Sequence, residues 1–230
     1  MKQASPTSPL PPPDHRGTPS APPPAVHVQI LATEHWSLLA TRSMTWNEIF
    51  SRASAFLTVL SATVIALSLV AQATGFGQGF RIFALLVLPI VLLVGLATYL
   101  RLSEADLEDA WLVVGMNRLR HAYLQVAPEL EPYFVTSHYD DEAGVLETYR
   151  FQPHVGITHL LSGTPVLVGI IDAVITGVLT AIVCQAFGGA LTLQITVGVF
   201  AALATGALLG TLHYRKFAQL SRAHHPRFPR

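Results

Sequence analysis

The sequence predicts an all-α membrane protein with four transmembrane helices, arranged as two tight hairpins with a small helical cytoplasmic segment between them. The chain is 51% hydrophobic and only 12% charged. Its charged residues are almost completely excluded from four apolar runs. A helix needs about 20 apolar residues to cross the hydrocarbon core. A soluble domain of 230 residues does not segregate its charges in this way.

Each apolar run is long enough to cross a bilayer. The runs contain 21, 19, 22 and 22 residues. They are Ala53–Ala73, Ile82–Leu100, Pro165–Ala186 and Leu191–Leu212. Short glycine-containing turns join the members of each pair, so we expect one hairpin over residues 53–100 and a second over residues 164–212.

The residues before the first span predict two different segments. Nine of the sixteen prolines fall in the first 26 residues. Residues 1–27 are therefore predicted to be a disordered tail, because they cannot bury enough apolar surface to offset their ordering entropy. Residues 28–52 are predicted to be a cytoplasmic or interfacial helix. Thr45 and Glu48 have capping-box spacing, which predicts a new helix start at Thr45.

The polar segments after the hairpins are residues 101–163 and 213–230. The first contains ten Asp/Glu and four Arg, and we expect it to form a helical cytoplasmic segment. Ser103 begins a second capping-box spacing, and the helix that starts there should end before Pro128. The second segment holds five of the fourteen Lys/Arg and is predicted to be a basic cytoplasmic tail.

One acidic cluster could in principle hold a divalent metal. The run 140–142 could act with Glu147, or with His138 and His154. Its spacing matches no established ligand pattern, and acidic runs are usually solvated faces. We therefore predict no metal and no cofactor. The sequence also assembles no set of acid, base and nucleophile, so we expect a protein that is not an enzyme.

The distribution of basic residues predicts the orientation in the membrane. Thirteen of the fourteen Lys/Arg lie outside the spans and their turns, and Arg81 is the exception. By the positive-inside rule, both termini and the middle segment are cytoplasmic. The net charge is zero, which together with the absence of a basic stripe excludes nucleic acid as a partner. The single cysteine, Cys184, excludes an internal disulfide.

Small residues recur at every fourth position of the third and fourth spans. This spacing forms a flat groove that lets two helix backbones approach closely. We expect these ladders to pack on each other or on another copy in a homo-oligomer. The members are Gly169, Ala173, Gly177 and Ala181 in the third span, and Gly198, Ala202, Gly206 and Gly210 in the fourth.

Asp172 is the one charged side chain between residues 164 and 212. A carboxylate at the centre of a span costs about 2.5–3.5 kcal/mol, so it should face the bundle interior. Thr205 and Ser61 lie at the same depth in other spans, so we expect them to hydrogen-bond to Asp172. Thr176, one turn further along the third span, is an additional expected partner. Two interpretations stay open. Asp172 is either a polar clasp that fixes helix register, or a proton- or cation-binding site in a pathway.

Two resemblances add to these expectations. Residues 114–124, followed by residues 131–137, resemble the cytoplasmic loop of uncharacterised actinobacterial multi-pass membrane proteins. The resemblance covers residues 30–214 and implies a bacterial inner (plasma) membrane, but no activity. The order of the first helices is similar in architecture to bacterial two-span (SLATT-like) effector domains, which are thought to form pores. This chain departs from them by a second hairpin.

These observations favour a protein of the lipid bilayer without enzymatic activity. We expect a scaffold or accessory protein that binds an unknown cytoplasmic protein through residues 101–163. The alternative is an oligomeric pore or small transporter that uses Asp172, since no other Asp, Glu, Lys, Arg or His lies within the spans.

Overall fold

The computed structural model describes residues 24–149 and 164–230, and every regular element within these ranges is a helix. Four of these helices are long and apolar enough to cross a membrane. The prediction of an all-helical chain with four helices that could span a membrane is confirmed for the described residues. The elements are α1 (Pro24–Thr74), α2 (Gln78–Val126), a 3-10 helix (Pro128–Tyr133), α3 (Glu142–Tyr149), α4 (Thr164–Ala186) and α5 (Leu191–Ala223).

The first two helices are continuous where the sequence predicts new starts. They contain 51 and 49 residues. Thr45 donates its hydroxyl hydrogen bond to the carbonyl of Thr41 inside α1, and Ser103 is buried in the middle of α2. The capping-box predictions are therefore wrong. Core residues such as Ile49 and Leu102 continue each helix past these points, and their burial outweighs a cap that contributes only about 1 kcal/mol.

Three other helix ends can be compared with the boundaries that the sequence predicts. Helix α2 ends at Val126, as the following Pro128 predicts. Helix α1 begins at Pro24, so the last residues of the predicted tail are helical, whereas residues 1–23 lie outside the described ranges. Helix α5 continues to Ala223 and takes up more than half of the predicted basic tail.

Helix α2 is the centre of the packing. It contacts α1, α4 and α5, and α4 and α5 also pack along each other. Glycines with positive φ, Gly75 (62°) and Gly188 (81°), form the tight turns after α1 and α4. The buried hydrophobic core joins all four long helices through Ile49, Ala53, Phe56, Ala84, Leu88, Val91, Tyr99, Leu102, Ala105, Val168, Ile175 and Leu209.

Beyond the apolar bundle, α1 and α2 continue into a region that we call the polar lobe, defined as residues 24–52, 101–149 and 224–230. The last residues of the chain belong to it. The amide of Asp140 donates to the carbonyl of Phe228 at 3.2 Å, and the Phe228 ring stacks on His121 with centroids 4.1 Å apart. The end of the predicted basic tail is therefore packed on the lobe rather than extended away from it.

Candidate functional site

Asp172 lies inside the bundle, where α4 crosses α1 and α2. Its side chain is completely buried. A Cβ atom built at Gly95 of α2 would overlap the carboxylate of Asp172 and would lie 2.8 Å from Phe56 of α1. The interior position expected from the cost of a charge in lipid is therefore observed.

The predicted hydrogen-bond partners of this carboxylate are wrong. Neither carboxylate oxygen has a hydrogen-bond partner among the described residues. Thr176 donates to the backbone carbonyl of Asp172 at 2.8 Å, and the exposed Ser61 donates to the carbonyl of Leu57 at 2.8 Å. Thr205 is half-buried on α5 and makes no bond to the carboxylate. Depth along a helix can be counted from sequence, but the direction around the helix axis depends on packing.

Gly95 is a residue of this site that the sequence analysis missed. It lies four positions before Tyr99 on the buried face of α2. Because it has no side chain, the carboxylate of Asp172 can lie directly against the α2 backbone. The sequence did contain a signal for Gly95, because a glycine in the interior of an apolar helix often marks the close approach of another group.

The small-residue ladders of α4 and α5 meet at one end of the helix pair. A Cβ atom at Gly177 would lie 2.7 Å from the Gly198 carbonyl oxygen and 3.0 Å from the Ala202 side chain. A Cβ atom at Gly198 would lie 3.3 Å from Ala181. Backbones touch here, which confirms the predicted close contact of Gly177, Ala181, Gly198 and Ala202.

The same ladders separate at the other end. A Cβ atom at Gly206 would meet Ala173 at an ordinary 3.7 Å, and one at Gly210 would meet nothing within 4 Å. The close contact expected at Gly206 is therefore not made within the chain, and packing of Gly206 and Gly210 on another copy stays a prediction. Gly169 instead packs on the Tyr99 ring of α2, whose hydroxyl donates to the Leu209 carbonyl of α5 at 2.7 Å. The Tyr99 side chain therefore contacts both α4 and α5 at this end of the pair.

A cavity of about 1100 Å³ opens where α4 and α5 separate. Tyr99, Gly169, Gly206 and Gly210 line its end within the apolar bundle. His213 and Phe217 follow along α5, and Arg222 and His224 stand at its polar end, where the ring of Trp111 packs on His224 with centroids 5.4 Å apart. Val114, Leu146 and Glu142 also line the cavity. Asp172 does not line this cavity.

In the polar lobe, Asp109 joins three helices. It is 2% exposed and accepts hydrogen bonds from Arg42 (2.7 Å), Trp46 (3.1 Å) and Tyr149 (2.6 Å). Burial, and then the bond to Asp109, raise the pKa of the Tyr149 hydroxyl. Burial and the nearby charge of Asp109 raise the pKa of Asp106 to about 6.

Asp140 binds the end of the chain. It is fully buried and accepts hydrogen bonds from the backbone amides of Arg227 (3.0 Å) and Phe228 (2.8 Å) and from the guanidinium of Arg118 (2.7 Å). Burial opposes ionisation, but these three donors together hold the pKa of Asp140 below its usual value. The predicted solvated acidic face is therefore wrong at this position.

The neighbours of Asp140 are also engaged by protein groups. Asp141 accepts from the amide of Gly144 at the start of α3 (2.7 Å) and from the amide of Arg230 (3.0 Å), and Glu147 pairs with the Arg230 guanidinium. Among residues 24–149 and 164–230, no group of three metal-ligating side chains comes together. His154, the remaining member of the metal alternative, lies outside these ranges.

Ion pairs also link α1 to α2 where the lobe meets the apolar bundle. Arg101 on α2 donates to Glu48 on α1 at 2.9 Å, and Arg52 donates to the same carboxylate at 2.8 Å. The hydrogen bonds from Arg101 and Arg52 lower the pKa of Glu48 to about 2. The Glu48 side chain that predicted a helix cap thus links α1 to α2 instead.

No protein-family model matches this chain, and comparisons with curated proteins and with solved structures found no match.

The geometry therefore offers three features with different chemistry. The polar lobe has a hydrogen-bonded interior centred on Asp109 and Asp140. The bundle contains the unpaired carboxylate of Asp172, and the cavity combines an apolar wall with basic residues at one end. The first suits a rigid binding surface, the second a proton or cation, and the third an amphiphile.

Proposed function

We propose that this chain is a non-enzymatic scaffold or accessory protein of a bacterial inner membrane, which binds a protein partner through its polar lobe. The proposal is supported by the construction of the lobe. Its two main helices are direct continuations of α1 and α2, and the buried carboxylate of Asp109 ties them together. A partner bound to the lobe would therefore be held rigidly at the membrane.

The single observation that carries the proposal is the outer surface of the lobe. Large apolar side chains there are strongly exposed, among them Trp36 (71%) and Met44 (72%) on α1. Tyr133 (78%) and Val135 (85%) follow the end of α2. Trp and Tyr are enriched among the residues that contribute most to binding at protein interfaces, so their exposure here supports a partner-binding surface.

Photo-cross-linking in intact cells tests this proposal. A benzophenone amino acid at Trp36 should form one adduct of defined mass with a cytoplasmic protein. The matched control places the same group at Glu34, which is exposed on a different face of α1. Identical adduct patterns at the two positions would show that the lobe surface captures neighbours without selectivity.

The proposal includes an orientation. Both hairpins cross the membrane, and the lobe and both termini are cytoplasmic, because the basic residues lie at that end. Reporter fusions after Gly77 and Gly188 should read as external, and fusions after Tyr139 and Arg230 as cytoplasmic. A cytoplasmic signal at Gly188 would contradict this orientation.

A second candidate function is an oligomeric pore or small transporter. It is favoured by Asp172, whose buried carboxylate lacks a hydrogen-bond partner among the described residues and could take up a proton or cation. Flux of protons and monovalent cations into proteoliposomes separates the two candidates. A scaffold gives the leak of empty vesicles, whereas a pore gives flux that Asp172→Asn abolishes without changing the melting temperature.

A further inference from the structure

We propose that the cavity between α2, α4 and α5 binds one anionic phospholipid, with its acyl chains in the apolar end and its phosphate at Arg222. The proposal rests on the membrane location proposed above, but not on a protein partner. It assigns a ligand to the space that the separated ladders leave open.

The cavity wall changes character along its length in the order that a phospholipid requires. At the bundle end the wall consists of apolar residues such as Ile170, Leu209 and Gly210. Tyr214 follows on α5. Aromatic residues of this kind concentrate at the level where hydrocarbon meets headgroups. Arg222 stands further along α5, so the wall changes from apolar to aromatic to basic side chains along this helix.

The dimensions fit one lipid of a single leaflet. From Gly206 to Arg222, α5 advances sixteen residues, which is about 24 Å at 1.5 Å per residue. A bilayer with its headgroups is about 40–45 Å thick, so one lipid extends over about 20–22 Å. The cavity volume of about 1100 Å³ lies at the upper end of small-molecule sites, as a lipid needs.

The charge at the polar end favours an anionic headgroup. Arg222 is exposed and forms no ion pair with the residues that the structure describes. His224 lines the cavity close to Arg222 in the chain, and Glu142 is the one acidic residue among the described lining residues. An unpaired guanidinium is a ready partner for a phosphate, which it can bind with two parallel hydrogen bonds.

The position of the cavity favours a lipid over other occupants. It lies between helices that are apolar enough to cross a membrane, so bilayer lipid is the most concentrated apolar molecule beside it. Gly210 faces this space with no atom within 4 Å of a Cβ position. A side chain added there would therefore fill the cavity without meeting the protein.

Native mass spectrometry of the full-length protein in detergent tests the proposal with defined lipids. Phosphatidylglycerol and phosphatidylcholine with identical acyl chains are added separately. We expect one phosphatidylglycerol per chain, retained at least tenfold better than phosphatidylcholine. Gly210→Phe should lower its retention at least tenfold. The control Leu208→Phe, at an exposed position of α5 outside the cavity wall, should not.

A second variant tests recognition of the headgroup separately from binding of the acyl chains. It does not require the helix bundle to accept a larger side chain. Arg222→Gln lies on the surface and should remove the preference for phosphatidylglycerol while leaving the weaker phosphatidylcholine binding unchanged. Three results would overturn the proposal. They are no retained lipid, equal retention by Gly210→Phe and wild type, and a dimer peak without lipid, which would indicate a second copy in the cavity.

Discussion

Buried aspartates have opposite surroundings in the polar lobe and in the bundle. Asp109 and Asp140 of the lobe each accept hydrogen bonds from at least three donors. Asp172 of the bundle is equally buried and accepts none from the described residues. The lobe is therefore held together by its carboxylates, whereas the bundle is held by close backbone contacts such as that of Gly177 with Gly198. The burial of an aspartate alone therefore does not show that this residue stabilises the fold.

Removal of Asp109 should have the largest effect on stability. Asp109→Ala leaves Arg42 without its partner in a partly buried position and removes the acceptor for Trp46 and Tyr149. We expect a loss of about 3–5 kcal/mol, because breaking a buried ion pair leaves an uncompensated charge. Thermal unfolding in detergent, followed by tryptophan fluorescence, measures it.

The control for that variant is Glu108→Ala, at the preceding position of α2. The Glu108 side chain is 51% exposed, and its pair with Arg101 should contribute less than about 1 kcal/mol. Equal losses for the two variants would show that burial of the Asp109 network does not decide lobe stability.

Asp140 should hold the end of the chain in a pH-dependent way. Asp140→Ala should cost about 2–3 kcal/mol and expose residues 224–230 to carboxypeptidase digestion, because it removes the acceptor for the amides of Arg227 and Phe228. Its folded pKa is lowered, so its contribution is complete above the unfolded pKa of about 3.9 and is lost as the pH falls through the folded value.

The digestion experiment has a clear control in Glu129→Ala, an exposed residue of the 3-10 helix. This variant should protect the chain end as well as the wild type does. If the wild-type chain end is digested as fast at pH 7 as that of Asp140→Ala, the latch to Asp140 does not form.

Close backbone contact between α4 and α5 should contribute to the stability of the bundle at only one end of this helix pair. Gly177→Leu should destabilise by about 1–3 kcal/mol, because the side chain would be forced against the Gly198 backbone. Gly210→Leu should change the melting temperature little, since its side chain enters open space. Similar losses for both variants would mean that the ladders touch over their whole length.

The sequence predicted what depends on composition and local sterics, and missed what depends on the direction of side chains. Pro128 correctly ended α2, and the charge of Asp172 correctly indicated an interior position. Thr45 gave a wrong helix start, because burial of the surrounding face outweighs a local cap. Ser61 was misassigned, since depth can be counted along a helix but the direction of a side chain around its axis is set by packing.

Asp106 offers a smaller, pH-dependent test in the lobe. Burial and the Asp109 charge raise its pKa to about 6, from a usual value of 3.8. The folded protein then binds a proton more tightly than the unfolded chain, so stability should fall as the pH rises from 4 to 6. Asp106→Asn should raise the stability at pH 7.5 by about 1 kcal/mol and flatten this slope. An unchanged slope in chemical unfolding curves would contradict it.

The smallest effect, and the most direct test of the contrast, concerns Asp172→Asn measured beside Asp109→Asn. Both substitutions preserve shape and remove the carboxylate charge. Asp109→Asn should lower the melting temperature clearly, because Arg42 loses its counter-charge. Asp172→Asn should leave the melting temperature unchanged or raise it, because no hydrogen bond to its carboxylate is lost. A fall for Asp172→Asn as large as that for Asp109→Asn would show that the bundle carboxylate is held by partners after all.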